Sequence, residues 1–188
     1  MGANGLSSET PQASFASSLE PICADLLDLR RPATADAAAI HRLVSQCPPL
    51  DLNSLYTYLL LAEHFPATCI VAISDDAALG FVSAYRPPAR PDVLFIWQVA
   101  VHERMRGQGM GQRMLQELLR RPDLADVRYL ETTVSPGNVA SRRMFNLLAQ
   151  DLGAAVNETP LFDKTMFGPQ AHDDEPLLRI GPLCKQRF

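Results

Sequence analysis

The 188-residue chain is short of several features that mark particular classes of protein. Its four cysteines, Cys23, Cys47, Cys69 and Cys184, are widely scattered with no CxxC pair. That spacing suggests neither a zinc site nor a disulfide framework, so reduced thiols, a cytoplasmic location and no metal are the expectation. No run approaches the roughly 18 apolar residues needed to cross a bilayer, and the start of the chain lacks a charged segment followed by an apolar one, so neither a membrane span nor a signal peptide is expected. Met1-Gly2 suits a myristoylation start, but Leu6 stands where that motif takes Ser or Thr. Positive charge is also in deficit. A net charge of -4 supplies no general pull toward phosphate backbones or anionic lipid. Small molecules, rather than nucleic acid or a membrane surface, are the expected partners.

What remains is ordinary globular composition, 47% hydrophobic and 20% charged, with no internal repeat. A chain of this length buries about 70% of its unfolded surface as one domain. Residues 1–27, rich in Ser, Ala, Pro and Gly without apolar periodicity, read as a flexible leader, residues 28–183 as the domain, and 184–188 as a tail. Thr34 can cap a helix with Ile40, Leu43, Val44 and Cys47 on one face, ended by Pro48-Pro49. A second helix is expected from Ser54 to Phe65, apolar on more than one face and closed by Pro66. Thr68–Ser74 and Leu79–Tyr85 read as a hairpin around Asp75-Asp76, and Val93–Val101 as a central strand buried on both faces. Helices at Met110–Arg120 and Asn138–Leu152 flank a strand at Val127–Val134. Strand-like pieces at Asn157–Phe167 and Leu177–Ile180 complete an α/β fold with a mixed sheet flanked by helices.

The chemistry sits where the central strand ends. Arg106-Gly107-Gln108-Gly109-Met110-Gly111 joins that strand to a helix, so backbone N–H groups and the helix dipole converge on one anion-sized spot. Glycines keep side chains from holding a pyrophosphate away from the amides, and they permit positive φ. Arg104, Arg106 and Arg113 can add charge-assisted hydrogen bonds. GxGxxG would need glycine where Gln112 stands, and a P-loop would need Lys-Ser/Thr after its last glycine, so neither applies.

Arg106-x-x-Gly109-x-Gly111 resembles the acyl-CoA signature of the GNAT acyltransferase superfamily, and Asn138-x-x-Ser141-x-x-x-Phe145 is similar to the helix that follows in that family. The resemblance implies acetyl-CoA as co-substrate and a GNAT-type, mostly antiparallel sheet. It implies donor contacts from Val99, Ala100 and Val101, from Arg106 through Gly111, and from Asn138, Ser141 and Phe145. Many members carry an aromatic hydroxyl at the position of Phe145 that protonates the departing thiolate. Phe145 has no proton to give, so the thiolate, of solution pKa about 8.5, leaves as such or takes a proton from water.

The run Leu50-Asp51-Leu52-Asn53-Ser54-x-Tyr56-x-Tyr58-Leu59-Leu60-Leu61, with Trp97-Gln98-Val99-Ala100-Val101 and His172-Asp173-Asp174-Glu175, resembles the diaminobutyrate acetyltransferases. That resemblance covers about Leu29 to Leu183. It implies acetyl transfer to the γ-amino group of L-2,4-diaminobutyrate on the way to the osmolyte ectoine. Such an acceptor needs acidic side chains, and Asp51 (anchor for the α-ammonium), Tyr56 and Trp97 (binding) and Glu131 (general base) are the candidates. An amine of pKa about 10.4 is only about one part in a thousand neutral near pH 7.4, roughly 4 kcal/mol of barrier, which is the reason to look for a base. A backbone N–H near Val99 is the candidate oxyanion donor. The glycine loop reads only the donor, so acetylation of another small amine or a protein N-terminus, and a CoA-binding protein without turnover, remain alternatives. The apolar second helix and the C-terminal strand are candidate dimer surfaces.

Overall fold

The computed structural model describes residues 27–169 and 172–184. The leader expected over residues 1–27 therefore lies, apart from Leu27, outside the described residues. Seven strands form one sheet in the order β1-β2-β3-β4-β5-β7-β6, with β1 at Asp28–Arg30, β2 at Ile70–Ser74, β3 at Ala77–Tyr85, β4 at Val93–Val101, β5 at Tyr129–Thr133, β6 at Val156–Phe162 and β7 at Glu175–Ile180. Every neighbouring pair is antiparallel except β4 with β5.

Helices α1 (Ala37–Ser45) and α2 (Leu55–His64) pack on one face around Ile40, Leu43, Tyr58 and Phe81. Helices α3 (Met110–Leu119) and α4 (Val139–Asp151) pack on the other around Leu94, Ile96, Met114, Leu118 and Leu148. Local signals set the boundaries. Ser54 caps α2 by accepting from Thr57 N–H, and Asn138 caps α4 by accepting from Ser141 N–H. Thr34 opens a single 3-10 turn rather than capping α1, because Asp36 Oδ2 takes the Ala33 N–H at 2.7 Å. Asp75 and Asp76, at φ 46° and 62°, make the β2–β3 hairpin turn, which needs positive φ at both central positions.

Two irregularities in β4 shape the molecule. Its parallel ladder with β5 lasts for only three pairs, Val93 with Tyr129, Leu94 with Leu130 and Phe95 with Glu131. Past that point β4 stays with β3 to Val101, while β5 stays with β7 to Thr133, and a cleft opens between them. A bulge also falls at Trp97, since Ser83 pairs with Gln98 and Ala84 with Ile96. The strand is thus mostly buried through Ile96, with Phe95 half-buried, and Trp97 is 44% exposed. The continuous apolar run expected as a fully buried strand lines a cleft over its second half.

Candidate active site

The edge of β4 that faces the cleft has no strand beside it. Gln98 N–H donates to Ser83 Oγ (3.2 Å) and His102 N–H to the Leu79 carbonyl (2.9 Å), both toward β3. Successive N–H groups of a strand point to opposite edges, so Val99 and Val101 turn theirs to the cleft, and Ala100 turns toward β3. An extended, amide-bearing arm can pair with this edge as an added strand.

The cleft ends at the glycine loop, and its glycines have separate tasks. Gly107 and Gly109 both adopt φ 74°, a left-handed conformation that side chains resist, and no heavy atom stands within 4 Å of where a Cβ would be. Gly111 serves close packing instead, because a Cβ there would meet Met144 Sδ at 2.6 Å and Val99 Cγ1 at 3.4 Å. The first bond of α3 runs from Arg113 N–H to the Gly109 carbonyl (2.9 Å), so the N–H groups of Met110, Gly111 and Gln112 have no partner within the helix and are available to an anion. The Met110 side chain is in the core, so this residue can offer only its backbone.

Arg106 departs from expectation. Its Nε donates to the Val101 carbonyl (3.0 Å) and its Nη2 to the Gln46 carbonyl (3.3 Å), so the guanidinium fastens the loop to β4 and α1 instead of reaching for phosphate. Gln108 Nε2 likewise donates to the Arg104 carbonyl (2.7 Å). On α4, Asn138 spends Oδ1 on the helix cap (3.1 Å), Ser141 is half-buried, and Phe145 is buried in the core, where it brings no hydroxyl. The residues present fit the phosphates and amide arm of acetyl-CoA through backbone groups more than through side-chain charge.

On the α1/α2 face, the loop before α2 is fixed to β4 by a buried network. Gln98 Nε2 donates to the Asp51 carbonyl (2.8 Å), and Tyr58 O–H donates to Gln98 Oε1 (3.5 Å). Burial pushes the Tyr58 phenol above its ordinary range, partly offset by hydrogen bonds with Asn53 and Gln98, so it stays a donor. Asp51 is thereby held by its backbone beside the bulge and is exposed, and Tyr56 stands exposed in the first turn of α2. Sequence reading did not single out Gln98. Its only signal was a lone amide in an apolar strand.

Glu131 differs most from expectation. It lies opposite Phe95 at the point where β4 and β5 part, but its side chain is 0% exposed and held by two cations. Arg90 Nη1 donates to both carboxylate oxygens (2.6 and 2.7 Å) and Arg179 Nη1 to Oε1 (2.8 Å). In this arrangement Glu131 ties the Pro-rich loop and β7 to β5, and the kinetics of Glu131→Gln decide whether it also serves as base. Sequence reading assigned neither arginine a role, since Arg90 sits in the Pro-rich loop and Arg179 meets Glu131 only across the β5–β7 register. Among the described residues no group of three or more His, Cys, Asp or Glu could hold a metal ion.

An open strand edge ending in an amide cradle at a helix start is the donor site of an acyl-CoA transferase, and the chain belongs to the acetyltransferase (GNAT) family, whose model matches residues 37–148. Within that family it belongs with the L-2,4-diaminobutyric acid acetyltransferases. It is 56% identical to the one from Bordetella parapertussis over 178 residues, 94% of each chain. It is 44% identical to the one from Halomonas elongata over 158 residues, 84% of this chain and 82% of the relative. Among solved structures it is similar to the diaminobutyrate acetyltransferase of Paenibacillus lautus in complex with L-2,4-diaminobutyric acid and coenzyme A, with a TM-score of 0.81 and 39% identity over 86% of this chain and 98% of that one.

Proposed function

We infer that this protein transfers the acetyl group of acetyl-CoA to the γ-amino group of L-2,4-diaminobutyrate, giving the N4-acetyl product used in ectoine biosynthesis. The observation that carries this is the splay of β4 from β5, with an amide cradle at one end and Asp51 and Trp97 beside the bulge at the other. The loop amides of Gly107, Gly109, Met110 and Gly111 hold the pyrophosphate. The cleft edge of Val99 and Val101 takes the pantetheine amides, with Asn138 and Ser141 across the cleft. The Val99 N–H faces the negative charge that develops on the thioester oxygen. Asp51 anchors the α-ammonium, Trp97 supplies a ring face for it, and Tyr56 borders the entrance.

Thiol release with acetyl-CoA should be fast with diaminobutyrate and slow with lysine or ornithine. Equal turnover of all three would overturn the acceptor assignment, and CoA binding without turnover would favour a binding protein. No helix among the described residues is long and apolar enough to cross a membrane. A cytoplasmic enzyme acting on a small amine, rather than on nucleic acid or at a membrane, fits its charge and substrate. A homodimer is supported by the exposed apolar residues Leu55, Leu59 and Leu60 on α2; the C-terminal strand β7, expected as a second surface, lies inside the sheet, and it is edge strand β6 that exposes Leu161 and Phe162.

A further inference from the structure

We propose that Arg90 and Arg179, gathered around Glu131, form the subsite that receives the carboxylate of the acceptor amino acid. The proposal deepens the assignment of diaminobutyrate as acceptor and rests on it. Two guanidiniums share a single carboxylate, which leaves one net positive charge. The carboxylate is sealed inside, whereas the side chains of Arg90 and Arg179 are 45% and 37% exposed. Each arginine spends only Nη1 on Glu131. The remaining N–H groups, Nε and Nη2 of both, donate to no described residue, and they form the planar fork that suits a carboxylate. Arg179 lies over the Tyr129 ring, 3.9 Å from its centroid, which fixes the plane of its guanidinium.

Position supports the same task. Glu131 pairs with Phe95 on the last rung before the strands separate, and Trp97, at the bulge, follows two residues further along β4. Next to Trp97 along β4, Gln98 holds the backbone of Asp51. The site thus runs from a cationic pair past an indole toward the loop that carries Asp51, the polarity that suits an amino acid whose amino groups face Asp51 and whose carboxylate faces the arginines. In diaminobutyrate the γ-nitrogen and the carboxylate carbon lie four bonds apart, about 5 Å. Glu131 acts here as a positioning residue that holds the two forks together.

The test compares kcat/KM for diaminobutyrate with that for 1,3-diaminopropane, the same diamine with hydrogen in place of the carboxylate. The wild-type enzyme should favour diaminobutyrate by about tenfold or more, and Arg90→Met and Arg179→Met should each shrink that preference about tenfold, as expected for losing one charge-assisted contact. Thermal melting verifies that each variant is folded. If the methionine variants unfold, Arg90→Lys and Arg179→Lys keep the charge without the fork and should give an intermediate preference. Glu131→Gln keeps one oxygen for the forks and should shrink the preference only in part, mainly through the KM for diaminobutyrate. A fall in its kcat with both amines alike, with their KM values unchanged, would return Glu131 to the role of base and overturn the clamp. Wild-type turnover of both amines at equal efficiency, or a preference that survives in the folded arginine variants, would overturn this proposal alone. Wild-type turnover of neither would overturn the acetyltransferase assignment as well.

Discussion

At the scale of single residues, identity and task separate in ways that spacing alone does not reveal. Gly109 and Gly111 belong to one motif, yet one is required by φ and the other by contact with Met144 and Val99. Gly111→Ala should therefore destabilise the fold by about 1–3 kcal/mol through overpacking, and by clearly less in a Met144→Ala background, where the blocking sulfur is gone. Urea unfolding of the four proteins of that cycle measures the coupling, and additive losses would contradict it. Asp51→Asn should raise the KM for diaminobutyrate about tenfold or more through the loss of one ion pair, with little change in the KM for acetyl-CoA. An unchanged diaminobutyrate KM would remove Asp51 from the acceptor site. The motif was legible because glycines and a strand-to-helix junction announce themselves locally. Glu131 was legible as a candidate but its partners were not, because its two cations come from a loop and a strand 41 and 48 residues away.

At the scale of elements, the turn chemistry was readable and the splay was not. Strand β4 occupies Val93–Val101, the range its apolar run suggests, and α4 begins one residue after its Asn138 cap. Nothing in the apolar run tells where its partner departs, since ladder length is set by how β5 pairs with β7 and by the bulge at Trp97. The register across the hairpin is likewise a property of pairs of strands. Arg121, just past α3, ties elements together in the same long-range way. Its Nη1 donates to the carbonyls of Pro66, Ala67 and Cys69, which links the end of α3 to the connection between α2 and β2. Arg121→Met would leave those carbonyls without their donor, at a cost of about 1–3 kcal/mol in urea unfolding. A variant as stable as the parent would show that solvent serves them equally well.

At the scale of the whole molecule, the described ion pairs give stability an acid limb. The Arg30 guanidinium, together with the Ala33 N–H, holds the Asp36 carboxyl below the usual carboxylate range. A carboxyl whose folded pKa is depressed contributes its stability in full above its unfolded value, near 4, and loses it as pH falls through the folded value. The stability gap between the parent and Asp36→Asn should accordingly be constant above about pH 5 and shrink below about pH 4. Equal acid sensitivity of the two proteins would show that Asp36 makes no such contribution. The sheet that these pairs help hold has one purpose in catalysis, which is to keep two strands apart at a fixed angle so that donor and acceptor meet between them. The most direct measurement of that outcome is the identity of the product formed from acetyl-CoA and L-2,4-diaminobutyrate, determined by NMR of the isolated compound. Acetylation at the γ-nitrogen, with one equivalent of thiol released per product, is the result expected. Acetylation at the α-nitrogen, or no acetylated product, would contradict it.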